Sequence, residues 1–228
     1  MLTGDNETSY KHSLRKQIVI VGAGGHATSV AEVATSAGYE IVCFVDNNKA
    51  GLSLLELPII SSLGDIDELE NKAFVIAIGD NSVRERVFSE LSSGLDISRF
   101  PPIIHRSANV SRFSKIGNGS VLMQGANVGS NSIVKRFCIL NTNCSVDHDS
   151  IIDDFSSVAP GAICGGKFTL GERSAISIGA VVKQGITVGA DSVLGANSFL
   201  NKDLASNSVA HGSPARVIRS RNKGDSYL

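Results

Sequence analysis

A single histidine between two acids is the clearest candidate for acid–base chemistry in this sequence. The stretch SVDHDSIIDD, residues 145–154, places His148 between Asp147 and Asp149. A carboxylate that accepts a hydrogen bond from one ring nitrogen fixes the tautomer and raises the basicity of the other nitrogen. Successive side chains of an extended segment point to opposite sides, so we expect only one acid to support His148 directly. The pattern predicts a general base, although a solvated surface histidine has the same local sequence.

A glycine-rich turn is the second candidate site. The motif VGAGGHA, residues 21–27, gives Gly22, Gly24 and Ala27 the G-x-G-x-x-G/A spacing directly after an apolar run, and Asp46 ends the next apolar run. Backbone N–H groups at the start of a helix bind phosphate, and an acid at that second position binds a ribose hydroxyl in dinucleotide-binding proteins. The turn therefore predicts a nucleotide site. His26 could belong to this nucleotide site or could be an ordinary residue at the start of a helix.

The segment around this turn alternates predicted strands and helices. We expect Asn81 or Ser82 to cap the last of these helices and Gly94 to end it. Alternation of this kind favours a parallel sheet covered on both faces, here an α/β Rossmann-like N-terminal domain over residues 17–102 that has the length of one mononucleotide-binding half. The predicted strands are QIVIVG, YEIVCFVDN and AFVIAIGD, and the predicted helices are HATSVAEVATSAG, LGDIDELEN and NSVRERVFSELSSG.

The rest of the chain repeats every six residues. From Ile104 to Leu200 every sixth residue is apolar, at seventeen positions in register, and Ala, Ser or Cys lies four places later in fourteen of them. This period suits a short strand and a tight corner, and three such sides make an eighteen-residue coil of a triangular parallel β-helix. The repeat predicts a prism with aliphatic residues inside and small residues in the corners. At three of these corner positions a larger residue replaces Ala, Ser or Cys: Phe168, Ile186 and Leu204.

His148 takes the third place of its hexad, which is a corner of the predicted prism. The residues eighteen places before and after it are Ser130 and Gly166, both small. We therefore expect the imidazole to lie at a hollow that has room for a substrate. Backbone N–H groups at Gly165 and Gly166 are candidate donors to an oxyanion, because glycine permits close approach.

Composition narrows the range of partners. Lys+Arg 21 against Asp+Glu 22 leaves a formal net charge of -1, which provides no basic surface for nucleic acid or anionic lipid. No apolar run approaches the roughly 20 residues of a membrane span, and the polar residues 1–16 lack the core of a signal peptide. We expect a cytoplasmic protein with a flexible tail over residues 1–16 and no metal. The cysteines lack CxxC spacing, which predicts buried reduced thiols at Cys43, Cys138, Cys144 and Cys164.

Taken together, the motifs resemble those of one family, the sugar acetyltransferases typified by sialic acid O-acetyltransferase and by the N-acetyltransferases of UDP-4-amino-sugars, including the bacillosamine and perosamine branches. The resemblance covers residues 17–218 and rests on VGAGGHA, FVDN, AIGDN, NTNCSVDHDSIIDDFSSVAPGAICGG and HGSPARVI. It implies a left-handed β-helix over residues 103–218 with a C-terminal cap, a tail over residues 219–228, and a homotrimer. It implies acetyl-CoA as co-substrate and a nucleotide-linked amino sugar, of the UDP-4-amino-4,6-dideoxy type, as acceptor.

The resemblance also assigns roles to residues of this chain. His148 becomes the general base and Asp149 the acid that supports its basicity. Gly166, from its predicted place beside the base, joins the residues expected to meet the cofactor. The implied contacts of acetyl-CoA are Ser157, Ile178 and Ala196, and those of the sugar nucleotide are Gly24, Gly25, His26, Asp46, Asn47 and Gly79.

Other functions remain open from the sequence. O-acetylation of sialic acid or another sugar uses the same residues. The glycine motif also allows an NAD-dependent sugar-nucleotide enzyme, although half a Rossmann fold offers one nucleotide crevice. A sugar-nucleotide-binding protein without catalysis is a further alternative. A γ-class carbonic anhydrase needs three zinc-binding histidines, and beside His148 this region has only His105 and His211, at its ends.

Overall fold

The computed structural model describes residues 16–66 and 68–226. The first part is a five-stranded sheet in the order β3-β4-β2-β1-β5, in which only the β3–β4 pair is antiparallel. Helix α1 buries an apolar face and ends at Ser36, and Gly38, the last residue of the predicted segment HATSVAEVATSAG, follows at φ 89°. The elements are β1 (Gln17–Val21), α1 (Gly25–Ser36), β2 (Glu40–Val45), β3 (Ser53–Leu54), β4 (Leu57–Ile60), β5 (Ala73–Ile76) and α2 (Asn81–Leu91).

The structure differs from the sequence analysis at three places in this part: the segment LGDIDELEN, the stretch before it and the cap of α2. The segment LGDIDELEN forms two 3-10 turns, Leu63–Asp65 and Leu69–Asn71, because a Ser62–Asp65 capping box closes the first turn and Glu68 adopts a left-handed φ of 50°. The polar stretch before it contains β3 and β4, which the sequence pattern did not indicate.

The cap of α2 also differs from the prediction. Asp80, rather than Asn81 or Ser82, caps α2, since its Oδ1 accepts from the Val83 N–H at 2.9 Å. The helix ends at Leu91, before Gly94.

Seventeen two-residue strands build the predicted prism. They form three faces: the first contains β6, β9, β12, β15, β18 and β21, the second contains β7, β10, β13, β16, β19 and β22, and the third contains β8, β11, β14, β17 and β20. Strands eighteen residues apart pair in parallel along each face. In chain order from β6 to β22 the strands are Ile103–Ile104, Asn109–Val110, Lys115–Ile116, Val121–Leu122, Asn127–Val128, Ile133–Val134, Ile139–Leu140, Ser145–Val146, Ile151–Ile152, Ser157–Val158, Ile163–Cys164, Thr169–Leu170, Ala175–Ile176, Val181–Val182, Thr187–Val188, Val193–Leu194 and Phe199–Leu200.

The interior follows the six-residue register. The predicted inward residues from Leu122 to Leu200 are each at most 4% exposed, and they form one continuous cluster. The three exceptions to the small corner residue, Phe168, Ile186 and Leu204, are also buried, and they stack eighteen residues apart along one edge. Their larger side chains therefore fill the interior of the later coils at that edge.

The corners have a regular backbone conformation that the repeat alone did not reveal. The fourth residue of every hexad from Gly119 to Asn197 has a positive φ, including Asp149 at 57°. Glycine, Asn and Asp tolerate this region best. The serines that follow these left-handed residues also form hydrogen bonds between coils. The Ser132 hydroxyl, for example, donates to the Asp147 carbonyl at 2.9 Å and accepts from the Ser150 N–H at 3.1 Å.

The chain ends in a two-stranded cap. Strand β23 (Ser208–Gly212) extends the first face in parallel with β21, and β24 (Ala215–Ser220) returns antiparallel to β23. Strand β24 continues two residues beyond 218, the expected end of the cap. The predicted tail residues 1–15, 227 and 228 lie outside the described residues. The four cysteines are buried and free, as predicted. No helix in the described part of the chain is long and apolar enough to cross a membrane.

Candidate active site

His148 lies at the corner between the second and third faces, after β13 and before β14. Its side chain is 53% exposed, and Nδ1 lies 2.7 Å from Asp149 Oδ2. Asp149 also accepts from Asn131 Nδ2 at 3.3 Å, and the hydrogen bonds from His148 and then Asn131 hold the pKa of the Asp149 carboxyl below its ordinary value. An ionised Asp149 that accepts from Nδ1 leaves Nε2 as the basic nitrogen.

The other neighbouring acid does not share this role. Asp147 Oδ1 accepts from the backbone N–H of His148 at 2.8 Å, and its other oxygen lies 4.0 Å from Nε2. The spacing left the choice between the two acids open, and the geometry favours Asp149. The left-handed corner conformation of Asp149 accompanies this contact.

Two glycines make space for the histidine. A Cβ at Gly166 would lie 2.6 Å from His148 Nε2, and a Cβ at Gly129 would lie 2.6 Å from the His148 backbone nitrogen. The imidazole therefore covers the α-carbon of Gly166, which is buried. This corrects the expectation of an open hollow at this position, because the ring itself fills the space where a side chain is missing.

A cavity of about 560 Å³ lies along the first face. It brings together five of the predicted residues: His26 and Gly79 from the first part of the chain, and Ser157, Ile178 and Ala196 from the prism. The cavity spans strands β12, β15, β18, β21 and β23, which at a strand spacing of about 4.8 Å makes a groove roughly 19 Å long. We call this cavity the groove.

The glycine turn lies beside the groove at the carboxyl edge of the sheet. Gly22, at φ 104°, needs to be glycine, because a Cβ there would also approach the Ala77 carbonyl oxygen to 3.1 Å. Gly24 and Gly25 are exposed with open space around them, and no side chain caps the N-terminus of α1. The turn thus presents backbone N–H groups to an anion.

Asp46 and Lys49 hold the turn in place. Asp46 Oδ2 accepts from the Ala23 N–H at 3.1 Å, and Oδ1 accepts from the Asn48 N–H at 3.1 Å. Lys49 Nζ donates to the Ala23 carbonyl at 2.7 Å, which places a positive charge beside the start of α1. Sequence reasoning missed Lys49, since it lies in a polar stretch without a pattern. Asn47 is exposed and, like Asp46, does not line the groove.

His26 is neutral at physiological pH. Burial, and secondarily the charge of Arg84, lowers the pKa of His26 to about 4. Its Nε2 is buried without a hydrogen-bond partner among the described residues. The side chain is therefore an uncharged part of the groove wall rather than an acid.

Two residues at the far end of the groove come from the C-terminal cap. His211 lies over Gly195, where a Cβ would approach the imidazole to 2.0 Å, and Arg219 extends from β24. HGSPARVI signalled His211, whereas nothing in the repeat pointed to Arg219. In residues 16–66 and 68–226 no three His, Cys, Asp or Glu side chains are close enough together to hold a metal ion.

The groove and His148 lie on opposite sides of the same prism. The groove follows the first face, whereas His148 stands at the edge between the other two faces. In a three-sided rod that edge is the one opposite the first face. One chain therefore does not bring its own His148 to its own groove.

Comparison with known proteins agrees with this architecture. The family model described as the PglD N-terminal domain matches residues 17–91. The acetyltransferase domain of PglB from Neisseria gonorrhoeae, in complex with acetyl coenzyme A, is 34% identical with a TM-score of 0.82, over 90% of this chain and 100% of that chain.

The chain is also similar to two GDP-perosamine N-acetyltransferases. A mutant of GDP-perosamine N-acetyl transferase from Caulobacter crescentus, in complex with CoA and GDP-perosamine, is 29% identical with a TM-score of 0.84, over 90% of this chain and 97% of that one. GDP-perosamine N-acetyltransferase of Escherichia coli O157:H7 is 28% identical over 73% of this chain and 78% of the relative.

Proposed function

Because the chain belongs to the sugar N-acetyltransferases of the hexapeptide-repeat family, we propose that it transfers the acetyl group of acetyl-CoA to the amino group of a nucleotide-linked amino sugar. The observation that carries this proposal is the groove, which joins His26 and Gly79 of the first part to Ser157, Ile178 and Ala196 of the prism. Relatives of known structure bind acetyl-CoA, or CoA with GDP-perosamine. The acceptor is an amino sugar of the 4-amino-4,6-dideoxy type.

The two parts of the chain divide the substrates between them. Residues 17–102 form a Rossmann-like domain for the sugar nucleotide, and residues 103–218 form a left-handed β-helix for acetyl-CoA. The open N-terminus of α1 at Gly24 and Gly25, with Lys49 beside it, suits the diphosphate of the sugar nucleotide. The hydrogen bonds of Asp46 to the turn give it a supporting role there and argue against the ribose contact of an NAD site.

The complete site forms between two copies in a homotrimer. His148 of one copy meets the groove of its neighbour, since the two features lie on opposite sides of one chain. Apolar side chains are exposed on both faces that adjoin His148, as a contact with another copy requires. They are Ile133 and Ile151 on the third face, and Ile163 and Val181 on the second. Cyclic trimers suit a three-sided rod because the interface closes on itself.

The chemistry is direct transfer with general-base assistance. The sugar amine attacks the thioester carbonyl of acetyl-CoA and gives a proton to Nε2 of His148, while Asp149 stabilises the imidazolium that forms. The C–S bond then breaks, the amide C–N bond remains, and the imidazolium of His148 returns its proton to the departing CoA thiolate. General-base assistance contributes about 10²–10⁴-fold, and the alignment of both substrates in one groove supplies further acceleration.

A thiol-release assay tests the proposal. The protein is incubated with acetyl-CoA and a panel of UDP-, GDP-, dTDP- and CMP-linked 4-amino sugars, and free CoA is measured. We expect CoA release with at least one amino sugar and none with the corresponding hydroxy sugar. Release with the hydroxy sugar and an alkali-labile product would identify an O-acetyltransferase. Tight binding without release would identify a non-catalytic binding protein.

A further inference from the structure

A buried arginine of α2 joins the first sheet to the prism. Arg84 is 1% exposed and is the largest fully buried side chain in the described part of the chain. Its Nε donates to the Phe137 carbonyl at 2.8 Å, and its terminal nitrogens donate to the carbonyls of Ile78 and Gly79 at 2.9 Å each and to that of Phe155 at 3.0 Å. Such partners are needed because an unsatisfied charge is very costly to bury. The guanidinium of Arg84 thus bonds both to the loop that follows the first sheet and to the prism.

Asn81 extends this contact over a third coil. Its Oδ1 accepts from Arg84 at 2.7 Å, and its Nδ2 donates to Ser157 Oγ at 3.3 Å and to the carbonyls of Arg173 and Ser174 at 3.2 and 3.1 Å. Asn81 is fully buried. This use of its amide explains why Asp80, and not Asn81, caps α2. We call Arg84 and Asn81 the docking pair.

Each residue of the docking pair bonds to one residue that lines the groove. Gly79, which accepts from Arg84, and Ser157, which accepts from Asn81, both line the groove. Phe137 and Phe155, whose carbonyls accept from Arg84, occupy equivalent left-handed corners of successive coils, so their spacing is set by strand pairing. The pair therefore ties the loop at Gly79 to a rigid part of the groove wall.

We propose that the docking pair positions the sugar nucleotide: it holds the loop at Gly79 over the groove so that the amino group of the sugar meets the thioester. This inference rests on the proposed function. Arg84 and Asn81 act through the loop, and neither contacts the reacting atoms. Lysine at position 84 keeps the charge but lacks the planar fork that meets several carbonyls together.

The test compares three ligands in Arg84→Lys and Asn81→Ala. For each variant, kcat/KM is measured for the sugar nucleotide, and dissociation constants are measured for acetyl-CoA and for the free nucleoside diphosphate. We expect kcat/KM to fall about tenfold or more, with both dissociation constants within about twofold of those of the original protein. Arg86→Lys is the matched control, because Arg86 lies on the same helix with its side chain 69% exposed.

A purely structural role predicts different results. Loss of stability alone lowers the folded fraction and Tm but leaves the constants of each folded molecule unchanged. An unchanged kcat/KM per folded molecule would overturn the proposal, and so would a fall in kcat/KM matched by equal losses of affinity for acetyl-CoA and for the free nucleoside diphosphate. Asn81→Ala decides the outcome if Arg84→Lys does not fold.

Hydrogen exchange provides a readout that does not need activity. In either variant we expect faster exchange of the amides of residues 77–82, with unchanged exchange at β9 and β12 inside the prism. Unchanged exchange of residues 77–82 would refute the docking role even in an active enzyme. Failure of every amino sugar to release CoA with the original protein would instead refute the proposed function and leave the exchange result to be judged separately.

Discussion

At the scale of the residue, the two acids beside His148 have different environments although the sequence presents them symmetrically. Asp149 accepts from the imidazole, and Asp147 accepts from a backbone N–H. The sequence predicted that one acid would support the base, because strand alternation separates their side chains. The spacing left open which one, since that depends on the left-handed corner at Asp149 and on Asn131 from the preceding coil. Only the family resemblance pointed to Asp149.

The different roles of the acids can be tested with a matched pair of substitutions. We expect Asp149→Asn to lower kcat by about tenfold or more, because an amide stabilises the imidazolium less than a carboxylate does. Asp147→Asn should keep kcat within about threefold. Steady-state kinetics with saturating acetyl-CoA measure both. Equal losses in the two variants would contradict the assignment of Asp149.

Gly166 provides a second test at this scale. A Cβ in Gly166→Ala would lie 2.6 Å from His148 Nε2, so the imidazole has to move. We expect kcat to fall about tenfold or more, since misplacement of a base by a fraction of an ångström removes much of its effect. The dissociation constant of acetyl-CoA should not change. Weaker acetyl-CoA binding would instead favour the cofactor contact that was expected for Gly166. Gly94→Ala, in open space, is the control.

At the scale of the element, the six-residue period was sufficient to predict every strand of the prism. The inward residues from Leu122 onward are buried in the predicted register, because one face of each short strand has only the interior to pack against. The first part was predicted less well. The hairpin of β3 and β4 has only two and four residues in its strands, too few to show a period, and the capping box at Ser62 overrides the helical appearance of the segment after it.

Substitution of one inward residue should be costly, whereas substitution of its outward neighbour should not. Leu170 is fully buried on the third face, and Thr169 beside it points outward. We expect Leu170→Ala to lower the free energy of unfolding by about 2–5 kcal/mol, and Thr169→Ala by less than about 0.5 kcal/mol. Denaturant titrations at one protein concentration measure both values. Similar midpoints for the two variants would argue against the prism register.

At the scale of the whole molecule, the contacts between distant segments could not be read from the sequence. The helix that carries Arg84 has the composition of an exposed helix, and its partners lie 53 and 71 residues away along the chain. The position of His148 opposite the groove follows from the three-face register, but the groove itself depends on how the first sheet packs against the prism. Local periodicity contains no information about that packing.

The site that we propose between two copies predicts complementation between two inactive variants. His148→Ala removes the base, with an expected loss of two or more orders of magnitude in turnover, and Ala196→Trp fills the groove of the same chain. In randomly mixed trimers about a quarter of the sites combine an intact His148 with an intact groove, so about a quarter of the activity should return. Denaturing and refolding the two variants together, against each alone, measures this. No recovery in verified mixed trimers would place the whole site within one chain.

His26 makes the stability of the whole molecule sensitive to pH. Its pKa is lowered from 6.5 to about 4 in the folded protein, so the unfolded chain binds more protons between these values. The stabilising contribution is complete above pH 6.5 and is lost as the pH falls toward 4, by about 2–3 kcal/mol at pH 4.5. His26→Gln should remove this part of the pH dependence. Parallel stability curves for the two proteins between pH 7 and pH 4.5 would contradict it.

The parallel pairing of strands eighteen residues apart also limits how this chain can change in length. Gain or loss of a single hexad between Ser157 and Ala196 keeps the six-residue repeat intact, yet it rotates every later residue by a third of a turn about the prism axis. Ala196 would then no longer lie on the same side of the prism as Ser157. Gain or loss of three hexads preserves all orientations and only slides the far end by about 4.8 Å. The length of the prism between the groove residues and the C-terminal cap can therefore change only in whole coils of eighteen residues if their orientations are to be kept.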